Sequence, residues 1–398
     1  MTSTHFPNLI APMSISEFFA SHFERQHMVL ARRDSSYYAE LLSMGWLDAY
    51  VDAHRPPYTR VFAIDARRKI ASEEFAGRDG RVDVARLYQL HAGGATLVYR
   101  DLQEQSLPLA RLCRSAEKVY GCPFFINAFL SPPQAQCFPI HHDSNDVFAL
   151  QISGTKHWEL YQPVVELPLA DQGCNEALAP SSCIEQCVLR EGDLFYVPRG
   201  FPHLVNSTDL PSLHISLSSY PYTWTDVMIR AVAEVCRRDP AFRASLPASF
   251  LQDGPNSDLQ ATFASLAQKF AELADCSSAV SAIGEEFIRT RPIMLPQHRI
   301  QIEAADKVTI DSEIGCRPDL IYVLKEGATE LRLLCHDTEI KLPSKAAASL
   351  KYALGTTRFR IRDMPGELTL EDKLLLITAL MRQGLVHAPG IGGNCYLR

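Results

Sequence analysis

The 398-residue sequence has no C-x-x-C pair, no internal repeat, no low-complexity tract and no apolar run approaching the ~18 residues of a membrane helix. Each absence removes a class of protein. The eleven cysteines cannot frame a paired-thiol zinc ribbon, and the closest two, Cys183 and Cys187, have no second pair to match them. Odd in number and scattered, they fit reduced thiols in a reducing compartment. The opening Met1-Thr2-Ser3-Thr4-His5 lacks the basic-then-apolar order of a secretory leader, which points to a cytoplasmic location and no membrane partner. Positive charge is not in excess either: 39 Lys+Arg against 46 Asp+Glu leave a formal net charge of −7. A chain of that sign is not built to coat nucleic acid, so nucleic acid is not expected as a partner.

What is present is ordinary globular composition, with a change of character along the chain. Ser14-Ile15-Ser16-Glu17 has capping-box spacing, and Ile15, Phe18, Phe19 and Phe23 recur at helical intervals, so an amphipathic helix starts there. From about Val61 to Asn206 the signal is short β-rich runs broken by Gly and Pro: Thr96–Tyr99, Phe124–Leu130, Val147–Tyr161 and Asp193–Pro198, with Ser212–Ser218 after them. Many short strands with turns between them predict a sandwich or barrel. Thr223-Trp224-Thr225-Asp226 then caps a helix ending near Asp239-Pro240. Leu259, Phe263, Leu266, Phe270 and Leu273 form one helical stripe that needs a partner surface, in a bundle or a dimer. From about Gln301, strand-like runs at Ile321–Leu324, Leu331–Cys335 and Glu339–Leu342 mix with helices at Ser344–Leu354 and Thr369–Gln383, a pattern that fits a small winged-helix-like module.

The chemistry concentrates in Phe138-Pro139-Ile140-His141-His142-Asp143. In an extended chain residues i and i+2 share a side, so His141 and Asp143 converge on one cation. Alone, H-x-D is also what a polar turn looks like. A third ligand is offered by His203, delivered after the bend Val197-Pro198-Arg199-Gly200-Phe201-Pro202. Two histidines and one carboxylate on a β scaffold make a facial triad that leaves positions open on Fe(II) for a chelating cosubstrate and dioxygen. A 2-oxoglutarate-using site must also neutralise that cosubstrate's distal carboxylate, and Lys156, just past Gly154-Thr155, is the candidate cation. Its alternative is a solvent-facing strand lysine. His157 alternates away from Lys156, Trp158 reads as barrel packing, and Asp193 in Glu191-Gly192-Asp193 reads as a turn former.

In order, Asn127-Ala128-Phe129-Leu130-Ser131-Pro132-Pro133, His141-His142-Asp143, Leu150-Gln151-Ile152-Ser153-Gly154-Thr155-Lys156-His157-Trp158-Glu159-Leu160-Tyr161, Gly192–His203 and Leu213-His214-Ile215-Ser216-Leu217-Ser218 form a set more specific than any one piece. The set resembles the JmjC-type 2-oxoglutarate oxygenases, within them the ribosomal oxygenase group of protein hydroxylases. The resemblance implies a mainly β core with α, a double-stranded β-helix (cupin/JmjC jelly roll) over residues 1–220 with N-terminal helices. It also implies a helical dimerisation region over 221–300, a winged-helix-like domain over 301–398 and a homodimer. His141, Asp143 and His203 match the iron ligands and Lys156 the residue that pairs with 2-oxoglutarate. Asn127 and Ser218 match polar positions of the cosubstrate pocket, and His214 lies on the same closing strand. The implied reaction consumes dioxygen and 2-oxoglutarate and hydroxylates a histidine or arginine of a ribosomal protein.

Two departures stand out. Phe129 occupies a place where related enzymes often have a tyrosine whose hydroxyl helps hold 2-oxoglutarate, and His142 replaces a frequent tyrosine inside the triad motif, on the parity that points away from the metal. Three other readings remain open: the same chemistry on another peptide such as a biosynthetic precursor, a cupin-like metal enzyme without 2-oxoglutarate, and an inactive barrel serving as adaptor. The zinc-binding Cys/His arrays that often accompany methyl-lysine demethylases are missing.

Overall fold

The structure is a computed structural model and describes residues 4–172, 182–248, 250–253 and 257–390. The chain divides into two compact units, Met1–Pro221 and Tyr222–Arg398.

The first unit begins with helices α1 (Phe6–Ile10) and α2 (Ile15–Ser21). The Ser14 side chain accepts from the Glu17 N–H and so fixes where α2 starts, as the capping spacing predicts. Strand β1 (Met28–Leu30), helix α3 (Met44–His54), strand β2 (Val61–Ile64), helix α4 (Val84–Ala92), strand β3 (Thr96–Tyr99) and helix α5 (Leu107–Tyr120) follow. Seven strands then run to the end of the unit: β4 (Phe124–Ser131), β5 (Val147–Ser153), β6 (Lys156–Tyr161), β7 (Cys183–Leu189), β8 (Leu194–Val197), β9 (His203–Ser207) and β10 (Ser212–Ser219).

They form two antiparallel sheets. The larger has the order β1-β8-β5-β10-β4-β3-β2 and the smaller β7-β6-β9. Two facing antiparallel sheets with such crossovers are the double-stranded β-helix, or cupin-like, arrangement expected above. The expected continuous run Val147–Tyr161 is two strands, because Gly154 sits at φ +67° where a Cβ would lie 2.0 Å from the Pro211 carbonyl oxygen. Only glycine fits that turn, and it carries the chain from the large sheet into the small one.

The two faces of the large sheet differ by parity. On β4, Phe124, Ile126, Ala128 and Leu130 are buried; on β10, Leu213, Ile215 and Leu217 are buried in the same core as Phe6, Phe18, Leu109 and Leu112 from the N-terminal helices. The opposite parity on those strands, Phe125, Asn127 and Phe129 with His214, Ser216 and Ser218, faces a cavity. A smaller core of Val147, Ala149, Trp158, Leu160, Leu189, Phe195 and Val197 closes the space between the sheets.

The second unit contains helices α6 (Trp224–Arg238), α7 (Phe250–Asp253), α8 (Ser257–Leu273), α9 (Cys276–Arg289) and α10 (His298–Ala305). Thr223 and Asp226 cap α6 reciprocally. Six strands, from β11 (Glu313–Cys316) to β16 (Val386–His387), form two antiparallel three-stranded sheets. The first is made of Val323–Glu326, Glu330–Cys335 and Thr338–Pro343, the second of Glu313–Cys316, Phe359–Arg360 and Val386–His387. Helices α11 (Ala347–Gly355) and α12 (Leu370–Arg382) supply Leu350, Ala353, Ile377 and Leu380 to a core of the unit's own. Cys137, Cys183, Cys187, Cys236 and Cys276 are free thiols, and among the described residues no helix is long and apolar enough to cross a membrane.

Candidate metal and cosubstrate site

His141, Asp143 and His203 come together so that one ligand atom from each lies within 4.8 Å of the others. Backbone pairing causes this. His141 and His203 face each other in an antiparallel bridge, the His203 N–H donating to the His141 carbonyl at 2.8 Å. Asp143 is held by the Gly200 N–H, which donates to its carbonyl at 2.8 Å. Gly200 adopts φ +85°, with no room for a Cβ beside the Val165 carbonyl oxygen. The bend that brings His203 home therefore also anchors the loop bearing Asp143.

The imidazoles are oriented by their own neighbours. Nδ1 of His141 lies 2.9 Å from the Pro139 carbonyl oxygen and Nδ1 of His203 lies 3.1 Å from that of Phe201. A carbonyl can only accept, so each Nδ1 carries a proton and Nε2 is the nitrogen left to face a metal. His203 Nε2 lies 3.8 Å from the Asp143 carboxylate. Burial, with His141 nearby, pushes the His203 pKa down to about 4, which keeps the ring neutral and able to coordinate. Two imidazoles and a carboxylate in a partly buried cluster fit a divalent first-row metal with open positions, the facial arrangement suited to Fe(II).

Lys156 is fully buried, and none of the ion pairs among the described residues involves it. Burial lowers its pKa to about 8, the Cys137 thiol opposing. Its Nζ lies 5.9 Å from the centre of the Phe129 ring, which stacks on His214 at 4.7 Å and 7° between planes. His214 is also fully buried and held neutral by burial and by Lys156. A buried ammonium without an anion is expensive to keep, and a ligand carboxylate is the partner the arrangement invites. Lys156 itself lies behind the cavity lining, against Cys137, Phe129 and His214, which form part of that lining.

The cavity has a volume of about 430 Å³ and is lined by the three candidate ligands with Asn127, His214 and Ser218. The Asn127 side-chain oxygen accepts from the Asp101 N–H at 3.2 Å, and Ser218 shares a 2.7 Å hydrogen bond with Ser216. Asn127, His214 and Ser218 thus line one space beside the metal cluster, with Lys156 behind Phe129 and His214. Sequence reasoning passed over Ser216, Phe125, Cys137, Asn145 and Arg100, which also line it. Parity would have found the first two, since Phe125 is in step with Asn127 and Ser216 lies between His214 and Ser218.

The residues set aside behave as expected. His157 points to the outer face, 3.6 Å from Glu159, and Trp158 packs in the inter-sheet core, stacked on His203 at 5.8 Å. Asp193 accepts from the Arg190 and Arg32 N–H groups at 2.8 and 2.9 Å, a turn and tether role. His142 is buried and outside the ligand cluster, its pKa lowered by burial.

A cupin-like barrel with two histidines and one carboxylate at its open space, and a buried lysine behind that space, is the arrangement of the JmjC class of oxygenases, and the JmjC domain family model matches residues 102–227 of this chain. More particularly, the chain is similar to human "Ribosomal oxygenase 1", 26% identical across 96% of this chain and 67% of that protein. The chicken protein of the same name is 28% identical over 92% of this chain and 64% of its own length. The "Bifunctional lysine-specific demethylase and histidyl-hydroxylase NO66" of Drosophila persimilis is 28% identical over 62% of this chain and 36% of its own. The chain thus spans about two thirds of the ribosomal oxygenases it matches. Among solved structures, Escherichia coli ycfD superposes with a TM-score of 0.57 at 15% identity, over 94% of this chain and 98% of its own. A structure of YcfD, described as a ribosomal oxygenase in complex with cobalt and 2-oxoglutarate, superposes with a TM-score of 0.54 at 15% identity, over 96% and 99%.

Proposed function

We propose that this protein is an Fe(II)- and 2-oxoglutarate-dependent protein hydroxylase whose substrate is a side chain of a ribosomal protein. The observation that carries the reading is the pairing of the His141, Asp143 and His203 cluster, which lines the cavity, with a buried, anion-free Lys156 directly behind that lining. A cupin-like metal enzyme without 2-oxoglutarate has no use for such a lysine.

In this reading Nε2 of His141, Nε2 of His203 and the Asp143 carboxylate hold the metal. Lys156 neutralises the distal carboxylate of 2-oxoglutarate, with Asn127, Ser218 and His214 around it. Fe(II) with 2-oxoglutarate supplies, when bound, dioxygen activation coupled to decarboxylation to succinate, the oxidising power for C–H hydroxylation. The residues of the chain do the remainder. The Pro139 and Phe201 carbonyls keep the ligand imidazoles in one tautomer. The Phe129–His214 stack and Trp158 shield Lys156 from water, which strengthens its attraction for a carboxylate. Phe129 brings no hydroxyl to the cosubstrate, so one hydrogen bond available to tyrosine-bearing relatives is missing here.

Between the two candidate targets the wall of the cavity favours histidine. Among the described lining residues Asp143 is the only carboxylate, committed to the metal, and Arg100 adds positive charge. A guanidinium or ammonium would enter without a counter-charge, whereas a neutral imidazole would not need one. The test is mass spectrometry of ribosomal proteins incubated with the enzyme, Fe(II), 2-oxoglutarate and heavy dioxygen. One heavy oxygen on one peptide, absent with His141→Ala, supports the reading. Succinate formation without any labelled ribosomal peptide moves the substrate to another peptide, such as a biosynthetic precursor.

The same proposal places the protein in the cytoplasm as a homodimer. It divides the chain into a catalytic domain over 1–220, a helical dimerisation region over 221–300 and a winged-helix-like domain over 301–398. Support for the dimer lies on α6 and α8: Trp224 and Phe263 are each 75% exposed, and Met228, Ile229 and Val232 are exposed beside Trp224 along α6. An apolar face of this kind suits a protein interface. A monomer by light scattering would overturn it.

A further inference from the structure

The depth of the cavity is graded in chemistry. Its inner wall is formed by buried His203, His214, Ser216 and Ser218, while Phe62, Phe138 and Tyr220 are 38, 36 and 50% exposed and so form its mouth. Tyr220 stacks on Phe125 at 4.6 Å, and Phe138 packs against His141 at 5.1 Å, so the aromatic mouth leads directly to a metal ligand. Arg100 is the one cation of that lining. It is exposed, and its guanidinium lies over the Phe62 ring at 5.6 Å.

The carboxylates beside Arg100 are already engaged elsewhere. Arg60 holds Asp101 at 2.7 Å and Glu104 at 2.9 Å, and Arg100 is in none of the ion pairs among the described residues. Its contact with the Phe62 face leaves the guanidinium N–H donors free, and a planar fork held in this way can bind a carboxylate. Lysine would not be oriented in this way.

From this geometry we infer that Arg100 is a substrate-anchoring residue that receives an acidic side chain placed close to the hydroxylated residue. The inference rests on the protein-hydroxylase reading and adds a sequence requirement to it. The peptide enters between Phe138 and the Phe125–Tyr220 pair, puts its target side chain toward the metal, and sets a neighbouring Asp or Glu on Arg100. The attraction selects among otherwise similar peptides without touching 2-oxoglutarate.

The probe is a panel of short synthetic peptides centred on histidine, with Asp, Asn or Lys at each of the two positions on either side. Binding is measured on the full-length protein loaded with cobalt(II) and 2-oxoglutarate, and hydroxylation on the Fe(II) form. The wild type should bind the best Asp peptide about fivefold or more tightly than its Asn counterpart, the scale of a partly exposed ion pair. Arg100→Gln should erase that difference by raising KM with kcat held, and Arg100→Glu should reverse it in favour of Lys. In both variants the affinity for 2-oxoglutarate should stay at the wild-type value, because an exposed side chain carries no fold. Equal preference in all three proteins, or no peptide bound by the wild type, overturns the inference. Hydroxylation without an Asp preference would sink the anchor and leave the hydroxylase standing; Asp-selective binding without hydroxylation would do the reverse.

Discussion

In Met1–Pro221 polar side chains have been taken out of water, whereas in Tyr222–Arg398 large apolar ones have been left in it. His203, His214, Ser216 and Ser218 are buried around one cavity with Lys156 buried behind them, and Trp224, Met228, Ile229 and Phe263 stand exposed on helices. Both arrangements are unfavourable for an isolated folded chain, the first through desolvation and the second through hydrated apolar surface. Each becomes favourable with the right partner, an ion and a dicarboxylate for the first, another protein surface for the second. The contrast teaches where to look for chemistry and association: the polarity hidden around the cavity marks the reacting site, and the apolar face of the second unit marks the proposed assembly surface.

The contrast breaks most completely at the triad. His141→Ala, or Asp143→Ala, should weaken metal binding by more than ~100-fold and reduce succinate formation to background, while the oligomeric state stays unchanged. Calorimetric metal titration and a succinate assay check both halves.

Next in size is Lys156. Replacing it with methionine should weaken 2-oxoglutarate binding by ~2–5 kcal/mol, since a carboxylate would be left without its counter-charge. The protein without cosubstrate should at the same time become more stable, because the buried ammonium is gone. The sign of its pH dependence follows from its pKa of about 8, below the ordinary 10.5. Between those values the unfolded chain holds a proton that the folded one has released, so stability rises with pH across that window. Below pH 8 the cost of roughly 3 kcal/mol is present in full. A bound dicarboxylate raises the pKa again, so binding near pH 8 should take up protons and its heat should vary with the buffer. Lys156→Met should abolish that variation.

The apolar face yields a smaller effect of a different kind. Trp224→Glu with Met228→Glu should dissociate the proposed dimer, at a cost of ~2 kcal/mol or more where these residues anchor its interface. Light scattering reads the mass, and peptide-free turnover of 2-oxoglutarate should persist. Smallest is Phe129→Tyr, expected to tighten 2-oxoglutarate by ~0.5–1.5 kcal/mol through one added hydrogen bond, visible as a lower KM. No change there would mean that the stack on His214 holds the new hydroxyl away from the cosubstrate.

Much of the barrel was legible because its signals are local. Gly154 and Gly200 announce turns, period two separates His214 from Leu213, and His141 with Asp143 share a side by spacing alone. The convergence of His203 on that pair is a long-range fact, set by the bridge between His141 and His203, and residue order hinted at it only through the bend Val197–Pro202. Illegible were the residues that reach the cavity from other elements. Phe62 on β2, Arg100 just past β3 and Cys137 in the loop after β4 carry no spacing that ties them to a metal site. The lysine was readable as a candidate, but its lack of an anion is a property of burial that only three dimensions reveal. The stripe Leu259 to Leu273 was also legible, and the absence of any buried residue on α8 is what leaves its cover open to a partner.

The central claim is that Lys156 waits for the far carboxylate of a cosubstrate bound beside the triad. It is tested most directly by titrating cobalt-loaded wild type and Lys156→Met with 2-oxoglutarate and with 2-oxobutanoate, the same oxo acid without that carboxylate. The wild type should prefer 2-oxoglutarate by ~30-fold or more, and the variant should lose the preference. Equal discrimination by both proteins would contradict it.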